Sequence, residues 1–276
     1  KTLTIESDAF DNTGNEWDAL TTITGLGGTN TLAISNGGAT TIDLFSINSL
    51  TDIDVVTIAD TVNADTINLS PALTEGGNTT INLSSGDTDK DKIFFGINES
   101  TFTSSATLEY VTVNNFEVGY DRIGLYYYGF SGDTNQTSSG LVGTNKSTGI
   151  SGGTTSLTAD RTFIEEDSSF SATAIADFDS VATVKQVIGN SVAQFTPSGG
   201  DDRLMYAHYN YDEDTDKNAA VIVAADLTGV SGTTDLTNSM NFEVVGVAQL
   251  VGVMETKLGS EIGGFNLVRN KDSGLG

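Results

Sequence analysis

The chain has 276 residues, no cysteine, and 37 Asp plus Glu against 12 Lys plus Arg, for a net charge of −25. That length carries one large β domain or two ordinary ones, and the missing thiols exclude disulfides and thiolate metal sites. The charge repels phosphate backbones and anionic membranes, which sets aside nucleic acid and membrane insertion, and it attracts divalent cations.

With 31 Gly, 2 Pro and abundant Thr and Ser, the chain favours strands and turns over helices. In chain order, candidate strands cover residues 31–34, 41–44, 55–58, 66–69, 80–83 and 92–95, and Thr-Ile-Asn-Leu is written twice, at 66 and at 80. In that tetrapeptide Ile and Leu share one face and Thr and Asn the other. The second residues of the six strands fall at 32, 42, 56, 67, 81 and 93. Alternate members are 24 and 25 apart in one series (32, 56, 81) and 25 and 26 apart in the other (42, 67, 93). A near-constant double step predicts a parallel β-solenoid with two main strands per coil. An antiparallel sandwich of hairpins of similar length is the alternative.

Residues 107–129 read as two stronger strands around a turn at Asn114-Asn115, with Tyr126, Tyr127 and Tyr128 in the second. Residues 131–160 are rich in Gly, Ser and Thr and read as a long loop or linker. One helix follows, because Ile175, Phe178, Val181, Val184 and Ile188 recur at three- and four-residue spacing, and Gly189 is expected to end it. Two strands flanking the acidic turn 212–218 and a further apolar segment complete the chain. The expected fold class is all-β. A parallel β-solenoid (β-helix- or β-roll-like) covers 1–130, the linker 131–160, and a β-rich C-terminal domain with one short helix 161–276.

Two acidic patterns suit a hard cation. Asp, one residue, then Ile opens three strands, at Asp65, Asp91 and Asp121, and the related Asp-Arg-Leu begins at Asp202. D-x-D-x-D runs occur at Asp87, Asp89 and Asp91 and at Asp212, Asp214 and Asp216. Alternate carboxylates in a tight loop converge on calcium, which takes about six to eight oxygens. A solvated turn, or a carboxylate capping turn amides, is the alternative. For catalysis there is little: His208 is the one histidine, Gly-x-Ser-x-Gly is absent, and Trp17 is the one tryptophan for a sugar cleft. The chain is therefore expected not to be an enzyme.

The segments "FEVGYDRIGLYYY" and "GGDDRLMYAHYNYDEDTDKNAAVIVAADLTGV", followed by "FEVVGVAQLVGV", resemble the C-terminal region of RTX proteins, exported by bacterial type I secretion. The resemblance covers about residues 107–255. The repeated Gly-Gly-x-Gly-x-Asp of the calcium β-roll is not present, and the first half is more similar to surface-layer (S-layer) proteins and long adhesins of that export class. The resemblance implies an extracellular structural protein on the bacterial cell surface, a homo-oligomer in a lattice or filament, bound to calcium and in contact with cell-surface polysaccharide. A carbohydrate-binding adhesin module is the second expectation, with Tyr126, Tyr127, Tyr128 and Tyr206 as ligand-binding side chains.

Overall fold

The computed structural model describes residues 1–6, 22–35, 41–44, 47, 49–59, 66–86, 91–98, 102, 107–117, 120–128, 156–157, 161–166, 178–191, 194–195, 203–210, 219–227 and 242–253. In chain order the strands are β1 (Thr2–Glu6), β2 (Thr22–Thr24), β3 (Thr31–Ser35), β4 (Thr41–Leu44), β5 (Ser49–Thr51), β6 (Val55–Ala59) and β7 (Thr66–Leu69). A four-residue helix, α1 (Pro71–Thr74), precedes β8 (Thr79–Asn82), β9 (Lys92–Asn98), β10 (Val111–Asn114) and β11 (Arg122–Tyr128). Then come β12 (Ser156–Leu157), β13 (Arg161–Glu166), α2 (Val181–Ser191), β14 (Gln194–Phe195), β15 (Arg203–Asn210), β16 (Ala219–Asp226) and β17 (Glu243–Val251).

The first half is a parallel β-solenoid. The chain alternates between two parallel sheets, one holding β3, β6, β8 and β10 and the other β4, β7, β9 and β11. The double step read from the sequence is the spacing between stacked strands. Ile42 pairs with Ile67, Ile67 with Ile93 and Ile93 with Ile123. Leu44, Leu69, Phe95 and Leu125 stack in the same way. On the other sheet Leu32 pairs with Val56, Ile58 with Ile81, and Ile81 with Val113. Strands in β3, β4 and β6 alternate between buried and half-buried positions, so one face of each is inside. Apolar side chains thus form columns at the strand spacing of about 4.8 Å. All these pairs are parallel, which rules out the antiparallel sandwich.

The turn at Asn114-Asn115 is present, and it is a coil corner between the two sheets. Asn115 has a positive φ of 61°, and its Nδ2 donates to the Leu83 carbonyl of the coil below (2.9 Å). Asparagine tolerates that left-handed conformation better than most residues. The helix α1 is not foreshadowed by any periodicity; Pro71 pre-sets its first turn.

The C-terminal strands add to one solenoid sheet. β17 lies parallel beside β10, β16 pairs antiparallel with β17, β15 antiparallel with β16, and β13 parallel with β15. The result is a nine-stranded sheet ordered β1-β3-β6-β8-β10-β17-β16-β15-β13. Segments 1–130 and 161–276, separate in the sequence reading, are therefore hydrogen-bonded to each other through β10 and β17. Of the expected linker 131–160, only Ser156 and Leu157 are among the described residues.

Helix α2 begins later and ends later than the periodicity suggests, and Gly189 sits inside it. A glycine within a helix costs about 1 kcal/mol but does not by itself stop it. Ser180 caps the start, its Oγ accepting from the Thr183 amide (3.4 Å). Phe178, Val181, Val184 and Ile188 pack with Tyr206, Val221, Val223 and Val244 in a second core on the outer face of the C-terminal strands. Ile175 lies outside the described residues.

Candidate cation site at a coil corner

Two of the strand-opening aspartates, Asp91 and Asp121, occupy equivalent places on successive coils. Lys92 pairs with Arg122, so the residues before them, Asp91 and Asp121, fall at one corner of the stack. Asp91 and Asp121 are almost completely buried, 1 % and 3 % exposed. Asp65 lies outside the described residues.

Asp121 is held from both sides. Its Oδ2 accepts the Glu117 amide at 2.6 Å and its Oδ1 the Asp91 amide at 3.2 Å. The Asp121 amide donates to the Glu117 carbonyl (3.0 Å), and the Arg122 amide donates to the Asp91 carbonyl (2.7 Å). The Arg122 guanidinium turns back onto the carbonyls of Tyr120 (2.9 Å) and Asp121 (2.8 Å). The Glu117 carboxylate reaches the Gly86 amide. Sequence reasoning missed Glu117: nothing in "NNFEVGYD" marks it as the bracket around Asp121.

The two kinds of force at this corner oppose each other. Burial pushes the Asp121 carboxyl up most strongly, and the carboxylates of Asp91 and Glu117 add to that. The amides of Glu117 and Asp91 pull it down, but burial wins and the pKa rises from 3.8 to about 7. Two amide donors suit a carboxylate, whereas the desolvated setting suits the neutral acid. A bound cation resolves that conflict in favour of the carboxylate.

For calcium, the donor type fits and the donor number among the described residues does not. Asp91 and Asp121 offer hard oxygens, but both oxygens of Asp121 already accept amide hydrogen bonds. No group of three or more His, Cys, Asp or Glu able to hold a metal ion occurs among the described residues. Asp87, Asp89, Asp65 and the run Asp212, Asp214 and Asp216 lie outside the described residues.

The aromatic candidates divide. Tyr206 is fully buried in the second core beneath α2, so it presents no surface to a ligand, and its assignment to a glycan site is corrected. Its strand is covered on both faces, which places the ring inside. Tyr126, Tyr127 and Tyr128 are carried by β11, the last strand of the four-stranded sheet, paired with Gly96, Ile97 and Asn98. His208 is on β15, between Glu166 of β13 and Val221 of β16.

The chain matches no protein-family model, no curated protein and no solved structure. No helix among the described residues is long and apolar enough to cross a membrane.

Proposed function

We propose that this chain is an extracellular structural protein of the bacterial cell surface, assembling with itself into a layer or filament. Calcium stabilises the assembly, and export follows a type I route, as the resemblance over residues 107–255 suggests. The observation that supports this reading best is the in-register parallel stack, whose last strand, β1, has no second partner strand among the described residues. Coils of this kind template the next strand, and an unpaired edge adds another chain readily.

The charge sets a physical condition on assembly. Subunits each carrying −25 repel one another unless salt screens them or cations bridge them. Calcium taken up at the corner of Asp91 and Asp121 lowers that charge where the coils stack. The test is electron microscopy of the purified protein with calcium and after chelation, at low and physiological salt. Ordered sheets or filaments that disperse on chelation at low salt are the expected result. Assemblies unchanged by both treatments remove the cation bridge, and single particles in every condition remove the scaffold reading.

A further inference from the structure

Helix α2 buries Val181, Val184, Lys185 and Ile188, while Ala182 and Gln186 on its other side are exposed. By composition it is a weak helix. Five of its eleven residues, Val181, Thr183, Val184, Val187 and Ile188, are β-branched, and its last three, Gly189, Asn190 and Ser191, are all poorer helix formers than alanine. Neither an acidic residue in the first turn nor a basic one in the last turn offsets its dipole. At this length an isolated helix is marginal in water, so α2 keeps its form through docking.

The docking itself carries a penalty. Lys185 is 6 % exposed, yet no hydrogen bond or ion pair reaches its ammonium among the described residues. Its Nζ stands over the Phe242 ring, 5.3 Å from the centroid, and the exposed Glu243 carboxylate acts on it through charge alone. Burial outweighs that attraction and moves the lysine pKa down. The ring returns part of the lost hydration, but a buried charge with no hydrogen-bonded partner favours any state that lets it out.

The start of the helix is tied down separately. Tyr110 Oη donates to the Phe178 carbonyl (2.5 Å), the Leu108 amide donates to the Asp179 carbonyl (2.8 Å), and Thr107 bridges to Ser180. Glu109, in the same stretch, sets its carbonyl against Gly246 of β17, where a Cβ would come within 2.1 Å. Residues 178–180 are thus fixed to the sheet, and Lys185 lies beyond them. The sheet beneath does not depend on α2. Strand β16 is paired on both sides, and Ala220, Ile222 and Ala224 seal its other face into the solenoid core.

We propose that α2 is a hinged cover, which swings off the C-terminal sheet about its anchored start at Phe178–Ser180 and is driven open by the buried ammonium of Lys185. The opening uncovers the apolar face of Tyr206, Val221, Val223 and Val244 and leaves the rest of the fold intact.

Val223 and Ala224 are neighbours on β16 and fully buried, Val223 in the core beneath α2 and Ala224 in the solenoid core. The chain has no cysteine, so Val223→Cys and Ala224→Cys each introduce a sole thiol, which iodoacetamide labels when its face opens. Val223→Cys is expected to react at least about tenfold faster, because a local opening costs less than global unfolding. In the unsubstituted chain the α2 amides should exchange hydrogen at least about tenfold faster than those of β16. Lys185→Met, similar in length and uncharged, is expected to slow Val223→Cys labelling about tenfold. Equal labelling of the two thiols overturns the hinge. So do α2 amides as protected as those of β16, because fast labelling would then be the work of the cysteine itself. Labelling of Val223→Cys that Lys185→Met leaves unchanged overturns the role of the ammonium.

Discussion

The coils of the first half and the sheet of the second half bury their strands differently. In β3, β4 and β6 every second residue is buried, and the residues between are half-buried. In β16 residues 220–225 are buried without a break. One face of β16, with Ala220, Ile222 and Ala224, closes the solenoid interior, and the other, with Val221, Val223 and Ala225, receives α2. The interior also changes character. Isoleucine, leucine and phenylalanine fill the columns of the coils, whereas Ala207, Ala220, Ala224 and Ala248 are frequent where the C-terminal strands close the core. One-sided burial permits indefinite stacking, while two-sided burial anchors the sheet with a helix.

The largest effect that tests this comparison comes from emptying a column. Phe95 is fully buried, stacked between Leu69 and Leu125. Phe95→Ala is expected to cost about 3–5 kcal/mol, because neighbours fixed in columns relax little into the cavity. Ile222→Ala, in the C-terminal sheet, is expected to cost about 2–5 kcal/mol. Both residues belong to one continuous core. The two halves should therefore unfold together, and either substitution should lower one common midpoint in urea followed by circular dichroism. Two separate transitions, each moved by only one substitution, would break the comparison into two independent domains.

The sequence made the coils legible because alternation and spacing are local properties. Residues 32, 56 and 81 and residues 42, 67 and 93 fall in two separate sheets, as their double step requires. The join of β10 to β17 had no such signal, because its partners Val111 and Ala248 are far apart in sequence and each reads as an ordinary apolar strand residue. β1 was passed over for a related reason. Its Thr-Leu-Thr-Ile alternates like the others, but Leu3 is 29 residues before its partner Leu32, which breaks the double step. At the site, the Asp-x-Ile pattern placed Asp91 and Asp121 at one corner. Their burial was not legible, since alternation describes strand faces and is silent about corners. Tyr206 misled because an alternating Tyr-x-His-x-Asn looks half exposed until a helix covers it.

The corner separates from the columns by its response to pH. Folded Asp121 keeps its proton up to about pH 7, whereas the ordinary aspartate value is 3.8. Between those values the folded chain binds more protons than the unfolded one, so stability falls as pH rises. The slope is up to about 1.4 kcal/mol per pH unit. The contribution of this carboxyl is complete below 3.8 and lost on passing about 7. Asp121→Asn, neutral throughout, is expected to flatten the urea midpoint measured from pH 4 to pH 8. An unaltered pH profile would show that the strain of that corner is relieved elsewhere. Phe95→Ala should lower the midpoint equally at all these pH values, which distinguishes loss of packing from titration.

The smallest effect concerns the outward face of the same coils. Asn114 Nδ2 donates to Asn82 Oδ1 at 2.8 Å, and both side chains are half-buried. These asparagines sit one above the other in the register that also stacks Ile81 and Val113 inside. Water competes for a half-buried amide pair, so Asn82→Ala is expected to cost only about 0.5–1.5 kcal/mol. The double replacement with Asn114→Ala should cost less than the two single losses together, because the second removes a bond already broken. If the outward pair proved as costly as Phe95, the stack would owe its cohesion to side-chain ladders on its surface. Its one-sided strands would then be held from outside as firmly as β16 is held by α2.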